Sequence, residues 1–211
     1  MEKELQKRIF SSIILIPTAI FFIFQGSIYF IFFLSLIFLA TSYEWLKMCK
    51  KNHLMKFLGI IFLLFSFYSS FYIRENSGLF LFFFIILICI FTDLGGYVFG
   101  NIFKGPKLTK ISPKKTYTGV AGGFLFSLIA GLSFMKIIGS NYLETHYLST
   151  FFSILIISLI SQIGDLIISF FKRKAKLKDT GKILPGHGGF LDRVDGLIFV
   201  MPLLYLKLFV I

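Results

Sequence analysis

The chain has 211 residues, 56% of them hydrophobic and 15% charged, with a formal net charge of +12 from 22 Lys+Arg against 10 Asp+Glu. A water-soluble globule of this length needs more polar surface, so the composition excludes that class and points to a polytopic membrane protein. The bases lie between apolar spans, where they serve orientation and contact with anionic headgroups or phosphates, so the charge does not argue for nucleic acid.

The start of the chain carries Glu2 and Glu4 beside Lys3, Lys7 and Arg8, and leads into an apolar run with no small-residue cleavage site. That predicts a retained cytoplasmic start, not a removed signal peptide. A helix needs about 17–25 mostly apolar residues to cross the hydrocarbon. Seven stretches reach or approach this: 9–25, 27–46, 55–73, 79–99, 119–138, 149–171 and 196–211. The expected fold is therefore all-α, a polytopic integral membrane helix bundle of about seven transmembrane helices. Only Gln25-Gly26 separates the first two spans, which predicts a tight helical hairpin. The last span is short and contains Pro202. Gly96-xxx-Gly100 and Gly119-xxx-Gly123 place small residues one turn apart, where helices can approach closely. Cys49 and Cys89 suggest neither a disulfide framework nor a thiolate metal site. The expected division is 1–78, N-terminal transmembrane helices, and 79–211, a catalytic membrane domain with basic cytoplasmic loops at 101–118 and 172–195.

Seven spans sort the connecting segments onto two sides. Nineteen of the 22 Lys+Arg fall on the side of the N-terminus; only Arg74, Lys136 and Lys207 fall on the other. This bias predicts a cytoplasmic N-terminus. Asp93, Asp165, Asp179, Asp192 and Asp195 fall at or near the same inner side, which the positive-inside rule does not explain. A transporter would more often spread ionisable groups along a path through the midplane. Convergence on one face favours a site where a water-soluble cytoplasmic substrate meets a lipid headgroup.

The richest segment is 162–195. Asp165 sits inside the end of an apolar span, where an isolated carboxylate costs at least about 2.5 kcal/mol and needs a partner or a metal. Asp192 and Asp195 are three apart and share a face if helical. Oxygen-only ligands of this kind suit Mg²⁺, which takes one or two carboxylates plus phosphates and water. The same aspartates could instead pair with Lys172, Arg173 or Arg193, and spacing leaves both readings open. Lys172, Arg173 and Lys178 offer charge-assisted donors to phosphate. Pro185-Gly186-His187-Gly188-Gly189 is a turn whose backbone N–H groups can approach an anion. A second segment has Asp93 beside Gly95-Gly96, then Lys104, Lys107 and Ile111-Ser-Pro-Lys114-Lys115-Thr116. Two basic, glycine-containing loops flanked by acids predict one composite anion-and-metal site.

The segment from Ser169 to Asp195 resembles the signature of the CTP:phosphatidate cytidylyltransferase (CDP-diacylglycerol synthase) family. It reads Ser169, Lys172-Arg173, Lys178-Asp179, Gly181, Leu184-Pro185, His187-Gly188-Gly189 and Asp192-Arg193-Val194-Asp195. Asp93-x-Gly-Gly-Tyr-x-x-Gly, Lys107-Leu108, Ile111-Ser-Pro-Lys-Lys-Thr116 and Gln162-x-Gly-Asp165-Leu166 are similar to the family as well. The likeness covers roughly residues 90–200, and before it Glu44 stands at the inner end of the second span. The chain departs at Tyr117-Thr118, where the family commonly has Trp-Glu, and at Ile168, where it often has Glu.

The resemblance implies the reaction CTP + phosphatidate → CDP-diacylglycerol + pyrophosphate, with Mg²⁺ as cofactor. Asp165 and Asp192 are the first candidates for the metal, and Asp195 and Asp93 the next. Lys172 and Arg173 would act on phosphate at the reacting centre, with His187 a hydrogen-bond donor rather than a base. Lys114, Lys115, Lys178, Asp179, Gly188, Gly189 and Arg193 would bind substrate. The expected partners are CTP, phosphatidic acid and membrane lipid, with no nucleic acid and a homodimer left open. The expected location is a bacterial inner membrane, with the active site facing the cytoplasm. Two rivals stay open: a CTP-dependent lipid kinase acting on a polyprenol-type alcohol, and a channel or transporter with a basic cytoplasmic mouth.

Overall fold

The computed structural model describes residues 2–50, 52–109, 112, 115–138, 142–186 and 188–210. Lys114 and His187, both site candidates from the sequence, lie outside the described residues. Regular structure among the described residues is helical: α1 (Glu2–Gln25), α2 (Ser27–Met48), α3 (His53–Asn76), α4 (Leu79–Phe103), α5 (Tyr117–Ile137), α6 (Tyr142–Lys174), α7 (Leu191–Val194) and α8 (Leu197–Val210). α1 to α6 each contain a stretch long and apolar enough to cross a bilayer. Helices suit hydrocarbon because they satisfy their own backbone polar groups. α8 has 14 residues, about 21 Å of helix, which falls short of the roughly 30 Å hydrocarbon core. α6 has 33 residues, about 50 Å of helix, which exceeds the roughly 30 Å hydrocarbon core. The expected helical membrane fold is what the chain forms, with six long apolar helices and one shorter one among the described residues.

The chain divides into two compact units, Met1–Leu79 with Phe171–Ile211, and Phe80–Phe170. In the first unit α3 packs on both α2 and α8. Ser66 Oγ donates to the Ile198 carbonyl at 2.6 Å, and Phe62 meets Phe199 with ring centroids 4.8 Å apart. The expected α1–α2 hairpin turns at Gly26, whose φ of 65° suits glycine. Arg74 closes that turn: Nε donates to the Ile23 carbonyl at 2.9 Å and Nη2 to that of Phe24 at 2.8 Å. A Cβ at Gly26 would overlap the guanidinium. Glu75 accepts from Ser27 N at 2.7 Å and pairs with Arg74 at 2.6 Å.

In the second unit the two small-residue motifs do bring backbones together. A Cβ on Gly95 would strike the Gly122 carbonyl, and one on Gly119 would lie 2.8 Å from the Gly96 carbonyl oxygen. α4 and α5 can approach this closely only because those positions lack side chains. Buried hydroxyls tie α4 to α6, with Thr92 Oγ1 donating to Ser158 Oγ at 2.9 Å.

Candidate active site

Two clusters of charged residues stand on this frame, one in each unit. In the second unit, Thr116 caps α5, its side chain accepting from Gly119 N at 3.1 Å. Such a cap satisfies one of the donors a helix start leaves open. The loop before it folds back on itself: Leu108 N donates to the Lys115 carbonyl at 2.8 Å and Tyr117 N to that of Pro106 at 3.1 Å. This return brings Lys115 Nζ to 2.5 Å from Asp165 Oδ2. Ser169, one turn further along α6, donates to Asp165 Oδ1 at 3.3 Å. The intramembrane carboxylate therefore has the cationic partner that its position demanded. The sequence pointed to Asp165 and Lys115 separately; the pairing comes from the loop's fold.

Asp165 and Lys115 line a cavity of about 240 Å³ together with Asp93, Gln162, Tyr97 and the glycines of the α4–α5 contact. Its potential ligands are carboxylate and amide oxygens, a donor set that suits Mg²⁺. Among the described residues no three His, Cys, Asp or Glu side chains gather into a metal cage. A cation here would have Asp165 and Asp93 as protein ligands, the usual number for Mg²⁺ shared with phosphate and water.

In the first unit, the last turn of α6 carries Lys172, Arg173 and Lys174. Lys172 Nζ donates to Asp192 Oδ1 at 2.7 Å, with side chains only 12% and 8% exposed. Asp192 Oδ2 accepts from Thr180 N at 2.9 Å and Gly189 N at 3.2 Å. Burial on its own would push the Asp192 carboxyl up. The hydrogen bond and charge of Lys172, with the Thr180 and Gly189 amides, outweigh it and hold the group below the ordinary carboxylate value. Of the two readings the spacing allowed, the ion pair with Lys172 is the one this geometry displays. A metal at Asp192 would have to compete with an ammonium and two amides.

The segment between Lys172 and Asp192 is shaped around a residue the sequence hardly distinguished. Glu44, in the last turns of α2, is fully buried. Its Oε2 accepts from Thr180 Oγ1 and from Leu191 N, each at 2.9 Å, and its Oε1 accepts from Phe190 N at 3.1 Å. A buried carboxylate needs such donors, and here the backbone of the signature loop supplies two of the three. A Cβ on Gly181 or Gly189 would collide with this carboxylate, so those glycines are required by close approach. The only hint in the sequence was an acid at the inner end of an apolar span.

The remaining candidates are placed as follows. Leu184 and Gly188 exchange backbone hydrogen bonds of 3.0 and 3.2 Å across the Pro185 turn, with φ of 78° at Gly186 and 88° at Gly188. Arg8 Nε holds the Gly186 carbonyl at 2.8 Å and Ser11 Oγ that of Pro185 at 3.1 Å, so α1 also supports the turn. Arg173, Lys178, Asp179 and Arg193 are exposed, with Arg173 Nη1 donating to the Leu177 carbonyl at 3.2 Å. Asp195 is buried at the end of α7 and accepts from Gly196 N at 3.0 Å. Asp192 lies within α7 and Asp195 directly follows it.

Six long apolar helices among the described residues, with two lysine–carboxylate pairs, define a polytopic membrane protein. The cytidylyltransferase family model matches residues 52–211, and the chain belongs to that family. It is 36% identical over 216 residues to a phosphatidate cytidylyltransferase of Rickettsia bellii (strain RML369-C), covering 97% of this chain and 90% of that protein. Proteins of the same name from Staphylococcus aureus (strain COL) and Staphylococcus saprophyticus are 42% and 43% identical over 142 and 138 residues. Those matches cover 67% and 65% of this chain and 54% and 52% of the relatives, so the chain spans about half the length of the staphylococcal proteins.

Proposed function

We propose that the chain is an integral membrane phosphatidate cytidylyltransferase that makes CDP-diacylglycerol and pyrophosphate from CTP and phosphatidate at the cytoplasmic face. The observation that carries this reading is the signature loop folded around Glu44 and Asp192, with Lys172 locked to Asp192 and Arg173 and Lys178 exposed beside it. Relatives bearing the same name along nearly the whole chain support it. The cytoplasmic orientation is supported by the asymmetry of lysines and arginines in the sequence.

The chemistry asks mainly for alignment and charge neutralisation. A phosphate oxygen of phosphatidate attacks the α-phosphorus of CTP. The bond from that phosphorus to the bridging oxygen of the β-phosphate breaks, and pyrophosphate leaves with the electron pair. An already ionised phosphate needs no base to attack, so His187 serves as a donor. Exposed Arg173, Lys178 and Arg193 neutralise substrate phosphates, while Lys172 orders the loop through Asp192. The turn at Gly188 and Gly189, with Asp179 in the same loop segment, presents close backbone to the nucleotide.

Mg²⁺ is the cofactor in this reading, and Asp165 and Asp93 are its candidate ligands because both line one cavity, where the ion would displace Lys115 from Asp165. When bound it would offset the negative charge of the phosphates and of the departing pyrophosphate. The test is an assay of purified, reconstituted protein with CTP and phosphatidate, with and without Mg²⁺. Pyrophosphate and CDP-lipid should form in equal amounts. Release of CDP with phosphorylation of an added polyprenol would instead define a lipid kinase.

A further inference from the structure

The first unit holds another cavity, of about 460 Å³, apart from the groups discussed so far. Lys47 and Lys50 wall it from the end of α2, Lys174 and Lys176 from the end of α6, and Asn52 and Met55 from the start of α3. No carboxylate lines it, and none of the four lysines forms an ion pair among the described residues. Cys49 in its wall supplies no counter-charge: burial pushes its thiol up against the charges of Lys174 and Lys56. Four exposed lysines in the lining of one cavity that has no acid offer an anion several charge-assisted donors.

The cavity is a built feature. Lys176 takes a left-handed backbone, φ 56°, uncommon for a residue with a side chain. That turn is held by Lys176 N to the Arg173 carbonyl and Leu177 N to the Lys172 carbonyl, each at 2.9 Å. Trp45 braces the wall by donating to the Met55 carbonyl at 3.0 Å and meeting Phe171 edge-on, centroids 4.9 Å apart. Gly59 leaves room for its indole. In the signature segment, Lys174 and Lys176 fall among the four residues between Lys172-Arg173 and Lys178-Asp179 that the pattern leaves open.

The cavity's place among the helices says what kind of anion fits. Its walls are the last residues of two spanning stretches, Ser27–Met48 and Tyr147–Lys174, and the first of a third, His53–Asn76. It therefore lies at the boundary between hydrocarbon and water, where lysines meet lipid headgroups. Leu54 and Phe57, in the first turns of α3, are exposed apolar side chains at the same end of that helix. We propose that this cavity is an accessory site for the headgroup of an anionic phospholipid, with the acyl chains in the adjoining hydrocarbon.

The chain's single tryptophan reports on the site. The full-length protein in phosphatidylcholine nanodiscs is titrated with short-chain phosphatidylglycerol, whose phosphodiester is no substrate for nucleotidyl transfer, while Trp45 fluorescence is followed. A saturable change is expected, shifted at least tenfold to higher lipid in K50Q/K176Q. It should be retained in K50R/K176R, which also controls for folding, and in K104Q/K182Q, which removes equal charge outside the cavity. Coincident curves for the wild type and K50Q/K176Q would overturn the site, as would an equal shift in K104Q/K182Q. Saturation by inorganic phosphate or pyrophosphate at concentrations where phosphatidylglycerol gives no change would overturn its assignment to lipid.

Discussion

Glu44 and Thr180 lie 136 residues apart in the chain, yet the threonine hydroxyl donates to the buried carboxylate at 2.9 Å. Through that bond and the amides of Phe190 and Leu191, the end of α2 sets the shape of the loop carrying the signature. Glu44→Gln keeps the size but turns an amide NH₂ toward groups that are all donors. Hydrogen bonds to charged groups are worth about 1.5–3 kcal/mol each, so the variant should lose thermal stability in detergent. Its turnover should fall at least tenfold although Glu44 is not placed against substrate. Wild-type stability and turnover would remove Glu44 from this positioning role.

Asp165→Asn and Asp192→Asn should separate activity from stability. Both variants should insert and lose turnover. The Lys115–Asp165 pair is 25% and 29% exposed, whereas Lys172–Asp192 is 12% and 8% exposed. Breaking a buried pair strands a charge at a cost of about 3–5 kcal/mol. Asp192→Asn should therefore unfold at a clearly lower temperature than Asp165→Asn. Thermal melts of both proteins, run beside the turnover assay, check the order; the reverse order would contradict the geometry.

The Asp192 carboxyl also predicts a response to acid. Because its folded value is held below the ordinary 3.8, the folded state binds its proton less readily than the unfolded chain does. The stability it contributes is fully present above that ordinary value and is lost as pH falls below it through the folded value. Melting of the wild type relative to Asp192→Asn should show a constant gap from pH 7 down to about 5, closing below about 4.

Neighbouring glycines in α4 should respond in opposite ways. A Cβ on Gly95 strikes the Gly122 carbonyl, whereas on Gly96 it meets only the Gly119 carbonyl oxygen at 3.7 Å, an ordinary contact. Gly95→Ala should destabilise by about 1–3 kcal/mol through overpacking. Gly96→Ala should be neutral, or gain up to about 1 kcal/mol from helix propensity. Melting temperatures of the two variants decide it.

Much of this molecule was legible in its sequence because a bilayer imposes long apolar runs, and the hairpin at Gly26 and the glycine contacts of α4 and α5 follow from local pattern. Helix ends were less legible. α6 continues to Lys174 and starts at Tyr142, since a polar extension of a helix beyond hydrocarbon leaves no hydropathy signal. The site residues were visible as types, but their partners were not. Whether Asp192 met Lys172, Arg173 or a metal depended on how residues 175–190 fold back, and that fold depends on Glu44, far away in the chain. A single acid at the end of a span has no periodicity and no neighbouring motif to mark it.

The most direct test follows the phosphorus. Purified wild-type protein is given phosphatidate, Mg²⁺ and CTP labelled either at the α- or at the γ-phosphorus, and the lipid extract is counted. Label from the α-position should enter the lipid as CDP-diacylglycerol, with γ-label leaving in pyrophosphate. Label entering lipid from the γ-position, or from neither, would contradict the assignment.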